Sequence, residues 1–179
     1  MKSRVVTRFR LNITIIAAVV MVAASANVAF SQQNNRYRIQ SLFLYNFTKH
    51  VKWEENTGET FTIGIYGNSL AFAEIKKNLG TKIVWGKNVN IIEISSAPEV
   101  SQCHIAYLLK SNKKKIVDLI SEADKENTLI VTEDDMVDDG AAISFVFVQS
   151  KMNFKISKEK IEQAGLKVSS SLISIGISV

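Results

Sequence analysis

FTIGIYGNSLAFAEIKKNL (residues 61–79) is the stretch that decides the fold class. Phe61, Ile63 and Ile65 alternate with Thr62, Gly64 and Tyr66, the two-residue period of a strand. Gly67-Asn68-Ser69 supplies a turn with capping residues, and Phe72, Ile75 and Leu79 then fall on one face of a helix over 70–79. A strand, a tight glycine turn and a helix make the first half of a βα unit.

The chain downstream continues the alternation. Short strands are predicted at 82–85 and 89–94 about Gly86-Lys87, and Pro98, the only proline, marks a connection. CHIAYLL (103–109) is short and continuously apolar, as a strand covered on both faces should be. SNKKKIVDLISEA (111–123) opens on the caps Ser111 and Asn112 and turns Ile116, Leu119, Ile120 and Ala123 inward, and TLIV (128–131) is another buried strand. AAISFVFV (141–148) and KMNFKI (151–156) flank Gln149-Ser150 as a hairpin at the sheet edge. SKEKIEQAG (157–165) reads as a short capped helix, and the apolar tail that follows has a period between strand and helix.

Upstream, RYRIQSLFLYNFTKHVK (36–52) repeats Ile39, Phe43, Phe47 and Val51 at helical spacing with Leu42 beside them, and Asn35 stands where a cap would. Trp53 follows, then a polar turn from Glu54 to Thr60. The sum is an α/β fold: a single layered domain with a mostly parallel sheet, flanking helices and a C-terminal antiparallel hairpin, Rossmann-like in its alternation.

The first residues belong to a different category. MKSRVVTRFR carries Lys2, Arg4, Arg8 and Arg10 and no acid, and is followed by an apolar run from Leu11 to Ala24 and then small residues. This is the pattern of a secretory signal peptide, and the run is short for a membrane span of about 20 residues. Residues 1–31 are therefore expected to be cleaved, leaving 32–179 as a domain outside the cytoplasm, with Ala26 and Ser31 as the two candidate cleavage points. The chain holds 22 basic and 17 acidic side chains. Four of the basic ones lie in the leader, so the mature chain is close to neutral and gives no support for nucleic-acid binding. Cys103 is the only cysteine, which excludes an internal disulfide. It reads as a small buried hydrophobe.

Candidate sites are few. Gly67, Asn68 and Ser69 lie where open α/β sheets place ligands, beyond the carboxyl end of a strand, and an anion is one possible guest of the following helix start. The turn is neither GxGxxG nor a P-loop, and an ordinary βα turn needs the same residues. Glu133, Asp134, Asp135, Asp138 and Asp139 lack the alternate-oxygen spacing of a calcium loop, so no metal is expected. His50 suits a helix C-terminus, and His104 reads as a hydrogen-bonded structural residue. No nucleophile elbow, HExxH or paired-cysteine set occurs, so neither catalytic residues nor cofactors are expected. Tyr45, Trp53 and Trp85 are candidates for a recognition patch, because Tyr and Trp anchor interfaces.

Taken in order, several segments resemble the YfiR-like family of periplasmic regulatory proteins. LFLYNFTKHVKWEE resembles its opening aromatic helix, FTIGIYGNSLAFAEIKKNL its first strand, turn and helix, and CHIAYLL its central strand. ISFVFVQSKMNFKISKEKIEQAGLKVSSSLISI resembles its hairpin, AGLK-type turn and serine-rich tail, so the likeness runs from about residue 37 to 176. The resemblance implies a non-catalytic periplasmic domain, often self-associating as a homodimer, that binds and restrains the periplasmic part of a membrane signalling protein such as a diguanylate cyclase or a sensor kinase. Family members with paired cysteines can be controlled through disulfides, which Cys103 alone does not allow within one chain. The alternative is a periplasmic small-ligand-binding module that serves as co-sensor for a histidine kinase or another envelope receptor.

Overall fold

The computed structural model describes residues 33–53, 58–110, 113–123 and 125–179. The signal-peptide expectation, most of the polar turn after Trp53 and the caps Ser111 and Asn112 lie outside these residues. The chain divides into two compact units, Met1–Tyr37 and Arg38–Val179. Residues 33–37, the described part of the first, are helical, so Asn35 sits within helical backbone rather than ahead of it.

The second unit opens with helix α1 (38–50). The helix stops one residue before Val51, which the periodicity had placed in its stripe. Strand β1 (Val51–Lys52) instead pairs antiparallel with β9 (Lys167–Val168), because a cross-strand partner 117 positions away outweighs the local period. The buried face of α1 is also rotated from the expected one. Leu44 and Phe47 are fully enclosed, whereas Leu42 is 57% exposed.

The main sheet has the order β10-β8-β7-β6-β5-β2-β4-β3. Its centre is β2 (Thr60–Tyr66), parallel to β4 (Lys87–Glu93) on one side and to β5 (Ile105–Leu108) on the other. β6 (Leu129–Thr132) and β7 (Ile143–Val148) continue in parallel, and β8 (Lys151–Ile156) returns antiparallel as the expected hairpin. β3 (Ile83–Val84) and β10 (Ile177–Ser178) close the two edges. The observed architecture is thus mixed α/β with a mostly parallel sheet and a C-terminal antiparallel hairpin.

Both faces of the central strands are covered. On one face α3 (Ala97–Val100) and α4 (Lys113–Glu122) bury Val100, Ile116, Leu119 and Ile120 against Ala106, Leu108 and Ile130. On the other, α1 sets Phe43 and Phe47 against Phe145 and Phe154, with ring centroids 5.2–6.1 Å apart, and Tyr107 meets Phe145 edge-on. Successive residues of β5 therefore serve opposite layers, as the strand period requires. At Gly64 of β2 a Cβ would lie 2.5 Å from Cys103 Sγ and 2.9 Å from Ile94, so only glycine lets α3's connection pack this closely. After α5 (Lys158–Gln163), the ambiguous tail resolves into both classes: β9, then α6 (Ser170–Ile175), then β10.

The link from β6 to its parallel neighbour β7 contains no helix. Met136 and Val137 are buried in its place. Ser144 Oγ lies 2.7 Å from Thr132 Oγ1 and accepts the Met136 N–H at 3.0 Å, which pins the loop to both strands.

Candidate functional site

Gly67, Asn68 and Ser69 line a crevice of 490 Å³ together with Tyr66, Glu93 and Ser95, beyond the carboxyl ends of β2 and β4. Gly67 holds φ at 104°, a value that side-chain-bearing residues avoid, and so turns the chain out of β2. Asn68 Oδ1 accepts the N–H groups of Leu70 (2.9 Å) and Ala71 (3.2 Å), the first donors of α2 (Ser69–Leu79). Those donors are the ones an anion would use, so the cap occupies them from within the chain. Across the crevice, the Glu99 carboxylate accepts from Ser95 N (2.7 Å), Ser95 Oγ (2.9 Å) and Ser96 N (3.1 Å). These bonds, led by that from the Ser95 backbone, hold Glu99 below its ordinary pKa. Ser69 and Glu93, both exposed, complete the lining.

The three aromatic candidates lie along the side formed by α1 and the β3–β4 hairpin. Trp53 is enclosed at 5% exposure, donates from Nε1 to the His104 carbonyl (3.1 Å) and meets Phe61 edge-on at 5.1 Å. Trp85 stands over it, 6.4 Å away at 84°, and remains 49% exposed. Its Nε1 donates to the Thr48 carbonyl at 2.8 Å, satisfying one of the orphan acceptors at the end of α1. Trp85 and Gly86 both have positive φ, 54° and 78°, the geometry of a type I′ hairpin turn. The turn is therefore Trp85-Gly86, one residue earlier than Gly86-Lys87. Tyr45 lies half-buried on α1 beneath two lysine side chains, Lys49 and Lys82.

Three carboxylates of the acidic loop after β6 pair with lysines from other segments. Asp134 pairs with Lys110 (3.2 Å), Asp135 with Lys155 (2.6 Å) and Asp139 with Lys113 (2.9 Å). Hydrogen bonds donated to Asp139 and Asp135 raise the pKa values of Lys113 and Lys155. Glu133 is buried and takes the Lys110 backbone N–H at 2.8 Å. The loop serves as the clasp between β6 and β7.

Cys103 is buried and donates to the Glu99 carbonyl at 3.2 Å. Burial pushes its thiol up to about 12, the Glu99 charge adds to this, and a backbone hydrogen bond from Gly64 opposes it. A thiol so placed is inert. His104 accepts the Thr62 N–H at Nδ1 (3.0 Å) and stacks on Phe61 at 4.5 Å, the structural role expected of it. His50 closes α1 and places Nδ1 3.0 Å from Ser169 Oγ, the residue that caps α6. A second, shallower recess of 330 Å³ opens at the opposite end of the strands beside Thr62, His104 and Thr128.

Sequence reading missed two surface features. Lys49 and Lys82 converge on Tyr45, and Ile83 and Val148 are exposed near the two hairpin tips. The strand period was the available signal for Ile83, because it turns Val84 to one face of β3 and Ile83 to the other.

The profile of the YfiR/HmsC-like family matches residues 37–176, which takes in the crevice, the aromatic side and both hairpins. The chain belongs to the YfiR/HmsC-like family. No curated protein matches it. Family membership suggests a periplasmic regulator in cyclic di-GMP signalling that interacts with a membrane signalling protein. Among the described residues, no helix is long and apolar enough to cross a membrane.

Proposed function

We propose that the chain is a non-catalytic periplasmic regulator that binds and restrains the periplasmic part of a membrane diguanylate cyclase. The observation that carries the reading is the family match over 37–176. Residues 1–31 serve as the cleaved export signal, and 32–179 act as a Rossmann-like module in the periplasm. The geometry is compatible with a binding role: Asn68, Asp135 and Asp139 are engaged in holding the fold, and Trp85 and Tyr45 reach the surface. Deleting the gene in the native host should raise cellular cyclic di-GMP, and restoring the full-length chain should return it to the original level. Crosslinking in the same cells should recover a membrane cyclase. Unchanged cyclic di-GMP with no membrane protein crosslinked would rule the reading out.

A second reading rests on the 490 Å³ crevice at Gly67–Ser69: a small polar ligand binds there and the chain is a co-sensor for a histidine kinase or another receptor. A thermal-shift screen of polar metabolites should then find a stabilising compound, since a ligand of the native state raises its stability. Loss of that shift in Ser69→Ala would place the ligand in this crevice.

A further inference from the structure

Tyr45 is the centre of a small surface between α1 and the β3–β4 hairpin. Lys49 Nζ lies 4.5 Å from its ring centroid and Lys82 Nζ 5.9 Å. Either contact alone is an ordinary cation–π pair. Together they hold two ammonium groups at one ring, and neither has a carboxylate partner among the described residues. The contrast with Lys110, Lys113 and Lys155 is direct, since each of those meets an aspartate.

Apolar surface adjoins the two cations. Trp85, 49% exposed, bonds to the end of α1, and Leu42, 57% exposed, stands one turn before Tyr45 on the same helix face. Ile83 pairs with Asn88 and faces the other side of the sheet. A type I′ turn favours Asn-Gly, yet tryptophan occupies the first central position at φ 54°. Its bond to the Thr48 carbonyl and its contact with Trp53 hold the half-exposed indole in one orientation. A fixed aromatic anchor lowers the entropic cost of binding, and Trp and Tyr are enriched among residues that dominate interfaces. Two lysines fall short of the clusters of about four to eight basic residues that read anionic lipid surfaces, which favours a protein over a membrane.

We propose that Tyr45 and Trp85, flanked by Lys49 and Lys82, dock an acidic segment of a protein partner. A carboxylate of that segment sits between the two ammonium groups, and a neighbouring apolar side chain covers the indole. The proposal rests on the reading that the chain restrains a membrane protein by contact, and it assigns that contact to one side of the molecule.

The test replaces Leu42, one turn before Tyr45 on α1, or Val148 on the far hairpin, with a photoreactive phenylalanine analogue in the full-length chain expressed in its native host. Adducts from position 42 should map to an Asp- or Glu-bearing stretch in the periplasmic part of a membrane protein. Lys49→Glu with Lys82→Glu should cut their yield roughly tenfold, and Lys49→Arg with Lys82→Arg should retain it. A Glu-to-Lys change in the mapped stretch should restore the yield of the charge-reversed chain. Equal melting temperatures and circular dichroism spectra would establish that the variants fold, and Lys49→Gln with Lys82→Gln provides a milder pair with an intermediate loss. Adducts to the membrane protein from position 148 alone would overturn this surface and leave the regulator reading standing. No protein adduct from either position would overturn both. Lipid adducts from position 42, with charge-dependent binding to phosphatidylglycerol vesicles, would reassign the surface to the membrane and overturn the proposal.

Discussion

At the β3–β4 tip, Trp85 and Gly86 sit at φ 54° and 78°, and at the β7–β8 tip Gln149 and Ser150 sit at 49° and 62°. Both hairpins thus use a two-residue turn with positive φ at each central position, and both show apolar side chains near the tip. They differ in where they are anchored. The first is tied down at its tip, where the Trp85 indole reaches the end of α1. The second is anchored at its base, where Phe145 and Phe154 lie opposite each other in register and under Phe43 and Phe47. A local backbone penalty is tolerated at the first tip because one side chain makes distant contacts. At the second, Gln149 and Ser150 carry the same kind of penalty, and packing at the base offsets it.

The largest test of this contrast removes the base of the second hairpin. Phe154→Ala deletes a buried ring that touches both α1 aromatics and should cost about 3–5 kcal/mol in denaturant unfolding. Val148→Thr at the tip of the same hairpin, 43% exposed, should cost under about 0.5 kcal/mol. Similar costs at the two positions would break the base-anchoring account.

Next in size is Gly64→Ala in β2, the strand from which the first hairpin hangs. The added Cβ would lie 2.5 Å from Cys103 Sγ, and overpacking of this kind should cost about 1–3 kcal/mol. A neutral result would mean that Cys103 and Ile94 move aside freely. Asn68→Ala, which uncaps the helix leading into that hairpin, should cost about 1 kcal/mol by the same measurement.

Trp85→Asn sharpens the comparison at the first tip. Asparagine tolerates the left-handed backbone, whereas tryptophan there costs about 1–2 kcal/mol, and the Thr48 bond is lost in exchange. Net stability should change by less than about 1 kcal/mol, while amide exchange in the last turn of α1 accelerates. Unchanged exchange would show that the indole does not secure the helix end. The smallest effect concerns pH and lies away from both hairpins. Glu99 has a lowered pKa in the folded chain, chiefly from the Ser95 backbone bond. Its contribution is therefore complete above the ordinary value of 4.5 and fades as pH falls through the lower folded value. Acid melting curves of Glu99→Gln should be flatter in that window than those of the parent chain.

Much of the fold was legible along the chain. Residues 61–79 announced a βα unit because strand and helix periods differ and the Gly67-Asn68 turn separates them cleanly. CHIAYLL and TLIV announced buried strands because parallel sheets cover both faces. Val51, Leu42 and the tail were harder, since their states depend on partners far along the chain. The candidate site was half legible: Gly67–Ser69 do line a crevice, but Asn68's occupation of the α2 donors appears only in three dimensions. Tyr45 and Trp85 could be named as aromatic residues, without any sign that Lys49 and Lys82 would meet at one ring.

The sequence by itself determined the α/β class, the terminal hairpin, the single cysteine and the family likeness, because periodicity, turn chemistry and residue counts are local or additive. Only the tertiary structure decided which lysines pair with the acidic loop and which meet no carboxylate among the described residues, where α1 gives way to β1, and how Trp85 is held over Trp53. Each of these depends on distances between segments far apart in the chain, and such distances are set when the hydrophobic faces close on one another.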